Sequence, residues 1–319
     1  MPVDGGLTGP INADTPGNNG PMNDMLPGMP TRLFVATPTK LLNFADCKRK
    51  YRYTYLETPR PPKGPPWAHN TVGAIVHEVL AEFWRWPASR RTGVEAVNKV
   101  RSSWRNEGFR DLDQSAVWRE RSADMVATYL HNADPYFEPR GVERTVAFTT
   151  ERASLRGRVD RIDERPARDG SGGTELAIVD YKTGRRPLTS TDARSSLAMA
   201  LYVLGARRVL HRPCTRVELH HLPTNTIAVA DHDDQSLARH QRRAESIADD
   251  AAAAEAKWHA GLTPAEADEI FPPEPSPLCG WCDFARICPQ GRRVAPPRDP
   301  WAALDETDAI PAPEVAEAG

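Results

Sequence analysis

The sequence predicts an α/β protein in which helices flank a short mixed sheet, with helical and C-terminal additions. Period-two alternation occupies three consecutive runs between Glu143 and Lys182, and amphipathic helical stripes lie on both sides of them. Gly, Pro and Asn punctuate the joins, and there is no internal repeat.

At about 100 to 200 residues per domain, 319 residues allow one large domain or two small ones. Residues 1–30 hold Gly, Pro, Asn and Met with three aspartates and no Lys or Arg. Such a composition buries too little surface to offset its ordering entropy, so this segment reads as a disordered tail. Thr37-Pro38 then opens the folded body as an N-cap with proline at the first helical position, and Leu41, Phe44, Ala45, Tyr51 and Tyr55 follow at near-helical spacing. A Pro-rich connection, Pro59 to Pro66, leads to a second helix with the stripe Val72, Ile75, Val76, Val79, Leu80 and Phe83, and His77 at its edge. Residues 93–131 read as further helix, with Val97, Val100, Trp104, Val126 and Tyr129 as buried positions.

The period then switches to two. Glu143 to Thr149 places Arg144, Val146 and Phe148 on one face; Leu155 to Asp163 and Glu175 to Lys182 follow, separated by the Gly-rich loop 169–173. Three sequential strands predict an antiparallel meander. Residues 192–210 return to helix, 215–230 read as a hairpin around Pro223-Thr-Asn225, and an Ala-rich helix over about 234–259 precedes the stretch Pro272 to Pro277 and a cysteine cluster. The body therefore spans 31–291, including cysteines at 279–288, and 292–319 reads as a second disordered tail, with six acids and no base after Arg298.

The whole chain carries a formal −2, but residues 1–30 and 299–319 hold nine acids and no bases, so residues 31–298 carry +7. The body is basic and suited to a phosphate backbone. No apolar run approaches the ~18 to 20 residues of a membrane span, and no basic stretch followed by an apolar one opens the chain. A soluble cytoplasmic protein is the expectation. Five cysteines, an odd number spread over a long chain, point to metal or cluster ligation rather than a disulfide framework.

Strand side chains alternate, so Asp180 and Lys182 point the same way. That pair is either a solvated ion pair or a metal-binding carboxylate beside a cation that holds a water, as metal-assisted phosphodiester hydrolysis requires. Asp160 puts a second carboxylate on the strand expected to pair with it, and Gly157 permits close approach of another group to that strand. Two carboxylates from adjacent strands suit Mg²⁺ or Mn²⁺. His77 is either a structural residue or a nitrogen ligand. Cys279, Cys282 and Cys288 put three thiols within ten residues, a density suited to zinc or an iron–sulfur cluster, each of which usually takes four ligands. The fourth comes from Cys47 or from Cys214, which lies between Pro213 and a strand, in a place for a small buried residue. Pairing Cys47 with the cluster would make folding of the chain ends depend on the cofactor. Candidate phosphate contacts are Lys48, Arg49, Lys50, Arg52, Arg156, Arg158, Arg161, Arg185 and Arg186, and Tyr51, Tyr53, Trp67, Trp84 and Trp86 are aromatics near basic residues that either pack or stack on bases.

Gly157-x-x-Asp160-Arg-Ile-Asp163, Ile178-Val-Asp180-Tyr-Lys182-Thr-Gly184, Gly73-x-x-x-His77, and Cys47 with Cys279-x2-Cys282-x5-Cys288 occur together and in order. This set resembles the RecB-like branch of the PD-(D/E)XK nucleases, and within it the iron–sulfur members: the four-cysteine CRISPR-associated exonucleases and AddB-type nuclease domains. The similarity runs from about Thr37 to Cys288. It implies a restriction-endonuclease-like core whose N- and C-terminal segments are stapled by a [4Fe-4S] cluster on Cys47, Cys279, Cys282 and Cys288. It also implies that His77, Asp160, Asp180 and the backbone carbonyl of Tyr181 ligate Mg²⁺ or Mn²⁺, and that Lys182 positions the attacking water. Of the Gln-x-x-x-Tyr motif such proteins carry, Tyr202 is present, but Ala198 stands where glutamine belongs. The implied activity is a metal-dependent DNA nuclease, an exonuclease on single-stranded ends, in repair, recombination or phage- and CRISPR-related DNA processing. The alternatives are a non-catalytic DNA-binding or assembly subunit on the same fold, or a nuclease stapled by zinc. No Gly-x4-Gly-Lys-Ser/Thr phosphate loop is present, so any unwinding would come from a separate helicase or other DNA-processing partner.

Overall fold

A computed structural model of the chain describes residues 33–167 and 172–305. Its first element, β1 (Phe34–Ala36), is absent from the sequence reading, since three residues are too short to show a period. Helix α1 (Pro38–Asp46) follows, with Thr37 Oγ1 accepting the Lys40 N–H and proline in the first turn as the N-cap signal predicts. Cys47 ends it and starts α2 (Lys48–Tyr55). The predicted stripe folds as α3 (Ala68–Arg85), burying Val72, Ile75, Val76, Val79, Leu80 and Phe83. The 93–131 region divides into α4 (Gly93–Ser102) and α5 (Leu112–Leu130), capped by Thr92 and Asp111.

The meander follows as β2 (Gly141–Thr149), β3 (Ala153–Pro166) and β4 (Thr174–Lys182), each antiparallel to the next. Ser196 breaks the expected single helix into α6 (Ser190–Ser195) and α7 (Leu197–Leu210). These helices carry the chain over to β5 (Cys214–His221), which runs parallel to β4, and β6 (Thr226–Asp231) completes the predicted hairpin. Helix α8 (Asp234–His259) has the expected bounds, and α9 (Pro264–Ile270) and α10 (Pro289–Val294) complete the helices among the described residues.

The sheet order is β1-β3-β4-β5-β6, with β2 on the other edge of β3. One face packs Val179 and Tyr181 against α3, α4 and α5; the other packs Val159, Ile162, Leu176 and Ile178 against α7. Leu155 meets Leu41, Leu201 and Ala244 nearer the chain start. A separate cluster of Phe44, Tyr51, Ala251, Ala254 and Phe271 joins α1 and α2 to α8 and the C-terminal segment. Protein contacts tie those ends directly: Arg49 and Arg52 pair with Asp268 at 3.1 and 3.0 Å, and the Tyr51 hydroxyl donates to Glu255 at 2.6 Å.

The C-terminal boundary needs correcting. Residues 292–305, placed by composition in the acidic tail, pack on the body. Pro300 O accepts the Ala68 N–H, Leu304 O accepts the Trp118 indole N–H, and Leu304 joins the α3–α5 core at 5% exposure. One leucine anchors this segment, too little apolar content to register in a composition average. The tail assignments for residues 1–30 and 306–319 lie outside the described residues, as does most of the Gly-rich loop. Leu304→Ala should lower unfolding free energy by about 2 to 5 kcal/mol in urea titration, as for a core leucine; a loss below about 0.5 kcal/mol would mark a solvated tail.

Candidate active site

One edge of β3 serves two strands. β1 pairs with Ala153 to Leu155 and β4 with Arg161 to Pro166, leaving residues 156–160 without a strand partner on that edge. At the point of parting, Asp160 Oδ2 accepts the Tyr181 backbone N–H at 2.8 Å. A carboxylate thus takes over where a ladder carbonyl would have served. Asp160 and Asp180, predicted on adjacent strands, lie near enough across this gap for their charges to act on each other.

Helix α3 brings His77 over the same point. Its Nε2 lies 3.1 Å from Tyr181 O and its Nδ1 3.3 Å from Asp160 Oδ1. The Gly73-x-x-x-His77 spacing has a packing reason: one turn before His77, a Cβ on residue 73 would come within 3.3 Å of Thr183 Oγ1, just past Lys182. Lys182 shares a face with Asp180, as alternation predicts, and pairs ionically with its Oδ2 while remaining 40% exposed.

A third acid joins them that the sequence reading missed. Glu143 on β2 lies opposite Asp160, because Val142 faces Arg161 and Arg144 faces Val159. His77, Glu143 and Asp160 each bring a ligand atom within 4.8 Å of the others'. Glu143 has φ +50°, a left-handed conformation that a non-glycine residue in a strand holds only at a cost, and it pairs with Arg158 at 2.7 Å. Only strand register identifies it, and one sequence does not supply register.

The electrostatics express crowding of acids. Burial pushes the Asp180 carboxyl up, the Lys182 charge opposes this, and Asp160 adds to the rise. Burial also raises Glu143. Burial works against the His77 imidazolium, but the Asp160 hydrogen bond and the Asp160, Asp180 and Glu143 charges outweigh it and raise its pKa. Asp180 Oδ2 is buried and, beyond its ion pair with Lys182, accepts no hydrogen bond of normal geometry. An oxygen-rich cluster with an under-satisfied carboxylate oxygen fits a hard divalent cation.

Tyr202 on α7 borders the site from the other side. Burial, then the Asp180 and Asp160 charges, push its hydroxyl up to about 12. Gly157 makes room for it: a Cβ there would collide with Tyr202 Cε1 and lie 3.0 Å from Cδ1. Ala198, in the glutamine position, packs as a partly buried residue in the α7 core.

Several predicted contacts are corrected. Arg161 is 4% exposed and grips Asp163 rather than facing a phosphate, and Arg49 and Arg52 are buried in their ion pairs. Tyr51 and Trp84 are core residues. Arg156, Arg158 and Arg186 stay exposed, Arg158 on Glu143 and Arg186 on Asp192 at 3.2 Å. Cys214 is buried, and its thiol is pushed up to about 12 by that burial, as for an inert core residue. The other four cysteines are half-buried and unbridged. Backbone N–H groups of Lys50, Ser276 and Phe284 approach the Sγ atoms of Cys47, Cys279 and Cys282 at 3.4, 3.3 and 3.5 Å. Gly291 fits between two of the thiols: its Cβ would lie 3.2 Å from Cys279 Sγ and 3.6 Å from Cys288 Sγ. Arg49, two residues past Cys47, reaches Gln290, two past Cys288, at 2.7 Å.

Gly157→Ala should cost about 1 to 3 kcal/mol in unfolding free energy by overpacking, and combining it with Tyr202→Ala should cost less than the two single losses added together. Additive losses would mean that the two positions do not press on each other.

No curated protein matches the chain. Among solved structures, one described as "Putative exonuclease" from Eubacterium rectale covers 80% of this chain and 89% of its own at 11% identity and TM-score 0.45. At that level the likeness says nothing about activity. The family model described as the PD-(D/E)XK nuclease superfamily matches residues 35–289, from β1 through the last cysteine to the start of α10. With that span covering most of its length, the chain belongs to the PD-(D/E)XK nuclease superfamily.

Proposed function

We propose that this chain is a metal-dependent DNA nuclease acting on single-stranded ends, and that four of its cysteines hold an iron–sulfur cluster. The observation that carries the nuclease reading is the convergence of His77, Glu143, Asp160 and the Tyr181 carbonyl at the gap between β3 and β4, with the Asp180–Lys182 ion pair on the residues flanking Tyr181. Asp160, Asp180, His77 and Tyr181 O would hold Mg²⁺ or Mn²⁺, with Glu143 as a further carboxylate. Such an ion supplies Lewis-acid stabilisation of the phosphoryl oxygens and helps water ionise. Lys182, exposed at its tip, orients the attacking water and meets charge developing on the phosphate. Arg156, Arg158 and Arg186 offer the strand phosphate contacts.

Cys47, Cys279, Cys282 and Cys288 suit thiolate ligation, since three of their sulfurs already have a backbone N–H nearby. Cys279-x2-Cys282 is compatible with zinc as well as with iron–sulfur, and metal content decides between them.

End-labelled single- and double-stranded DNA, free or end-blocked, digested with Mg²⁺, Mn²⁺ or a chelator, tests the activity. Free-ended single strands should be consumed with metal and spared with chelator. Asp180→Ala and Lys182→Ala should each lower the rate by at least about 10³-fold while leaving visible absorption unchanged; cleavage at the parental rate in both contradicts the reading. Anaerobically purified protein should be brown with iron; colourless protein with one zinc per chain would refute the cluster.

A further inference from the structure

We propose that the buried hydrogen-bond ring behind the catalytic strand is a positioning device that holds the Tyr181 peptide in register with the metal site. This rests on reading Asp160 and Asp180 as a nuclease metal site, and it assigns a role to Arg161 and Asp163, the motif residues that do not reach that site.

Tyr181 serves the site through its backbone and the core through its ring. Its N–H fixes Asp160 and its carbonyl faces His77. Its ring enters the core against α3, on the face opposite Asp180 and Lys182, is 2% exposed and meets the His77 ring edge-on at 5.8 Å. There the phenol oxygen accepts from Arg161 Nη1 at 2.9 Å and from Trp84 Nε1 at 3.2 Å. A tyrosine side chain has only two rotatable torsions, so fixing its hydroxyl restrains the Cα and both flanking peptide groups.

Arg161 is itself held. It forks onto both Asp163 oxygens at 2.9 Å, and Asp163 is fully buried. Arg165 bridges Asp163 at 2.7 Å to Glu218 at 3.2 Å. Glu218 lies 3.0 Å from His220 Nε2, and His220 Nδ1 lies 2.7 Å from the Tyr129 hydroxyl, which returns to Arg161 Nη1 at 3.3 Å. The donor order is self-consistent. Ionised Glu218 only accepts, so His220 Nε2–H donates to it, Nδ1 accepts from Tyr129, and the Tyr129 oxygen accepts from Arg161. The ring joins β3, β5 and α5, and through Tyr181 it reaches β4.

A buried charged network seldom exceeds a well-packed apolar core in stability, whereas it does fix geometry when every member is satisfied. A purely structural role predicts that weakening it lowers thermal stability and leaves the metal requirement alone. Positioning predicts a change in the metal requirement.

The test measures Mn²⁺ binding to the DNA-free protein by electron paramagnetic resonance titration, together with the Mn²⁺ concentration for half-maximal cleavage and kcat at saturating Mn²⁺, in the full chain, its Tyr181→Phe and Trp84→Phe variants, and an Asp180→Ala control. The dissociation constant should shift with the half-maximal concentration, and an unchanged one overturns the positioning role. Tyr181→Phe removes one oxygen and keeps the ring; Trp84→Phe removes only the second donor to it. Tyr181→Phe should raise the half-maximal Mn²⁺ about tenfold or more, the usual effect of losing a group that orients a ligand, with cleavage largely restored at saturation. Trp84→Phe should shift it the same way by a smaller factor, and it decides the matter alone if Tyr181→Phe does not fold. An unchanged half-maximal Mn²⁺ in every folded variant overturns the positioning role. Cleavage surviving in Asp180→Ala instead overturns the nuclease reading beneath it.

Discussion

The hydrogen bond from the Tyr181 N–H to the Asp160 carboxylate is the contact on which the rest of the structure turns. It forms where β3 and β4 stop pairing, so a side chain closes a ladder that the backbone has left open. That substitution draws Asp160 toward β4 and the two acids toward each other. An uncompensated pair of buried carboxylates is unfavourable, and His77, Lys182 and Arg158 are the positive groups near these acids. Asp180 Oδ2, buried and without a hydrogen bond of normal geometry, keeps the capacity of a hard-cation ligand.

The sequence made legible whatever depended on local period. The α3 stripe, the three meander strands, the hairpin at Pro223 and the bounds of α8 follow from spacing and turn residues, and so does the shared face of Asp180 and Lys182. What escaped depends on distance in space. Glu143 joins the site through strand register and a left-handed φ, and Leu304 joins the core through docking on a helix more than 170 residues earlier in the chain. Basic residues illustrate the same limit. Arg161 and Arg158 are three apart on one strand, yet one is buried on a carboxylate and the other is exposed. Neither composition nor spacing separates them.

Charge therefore has to be read by location. The +7 of residues 31–298 includes arginines that are spent internally, on Asp163, Glu218 and Asp268. Two of these pairs, Arg165 with Glu218 and Arg49 with Asp268, join segments far apart in sequence, whereas Arg156, Arg158 and Arg186 remain at the surface. The same division applies to the cysteines. Cys214 is sealed in the core, and the other four lie half-buried where α2 meets the C-terminal segment. Contacts such as Arg49 with Asp268 already join those ends, so a cluster there would reinforce an existing junction rather than create one.

Anomalous scattering from crystals soaked in Mn²⁺ addresses the central claim most directly, because it locates the ion independently of any assay. The account predicts a peak about 2 Å from carboxylate oxygens of both Asp160 and Asp180 and from the Tyr181 carbonyl, with His77 turned to it. A peak elsewhere, or none at a concentration that supports cleavage, would contradict it.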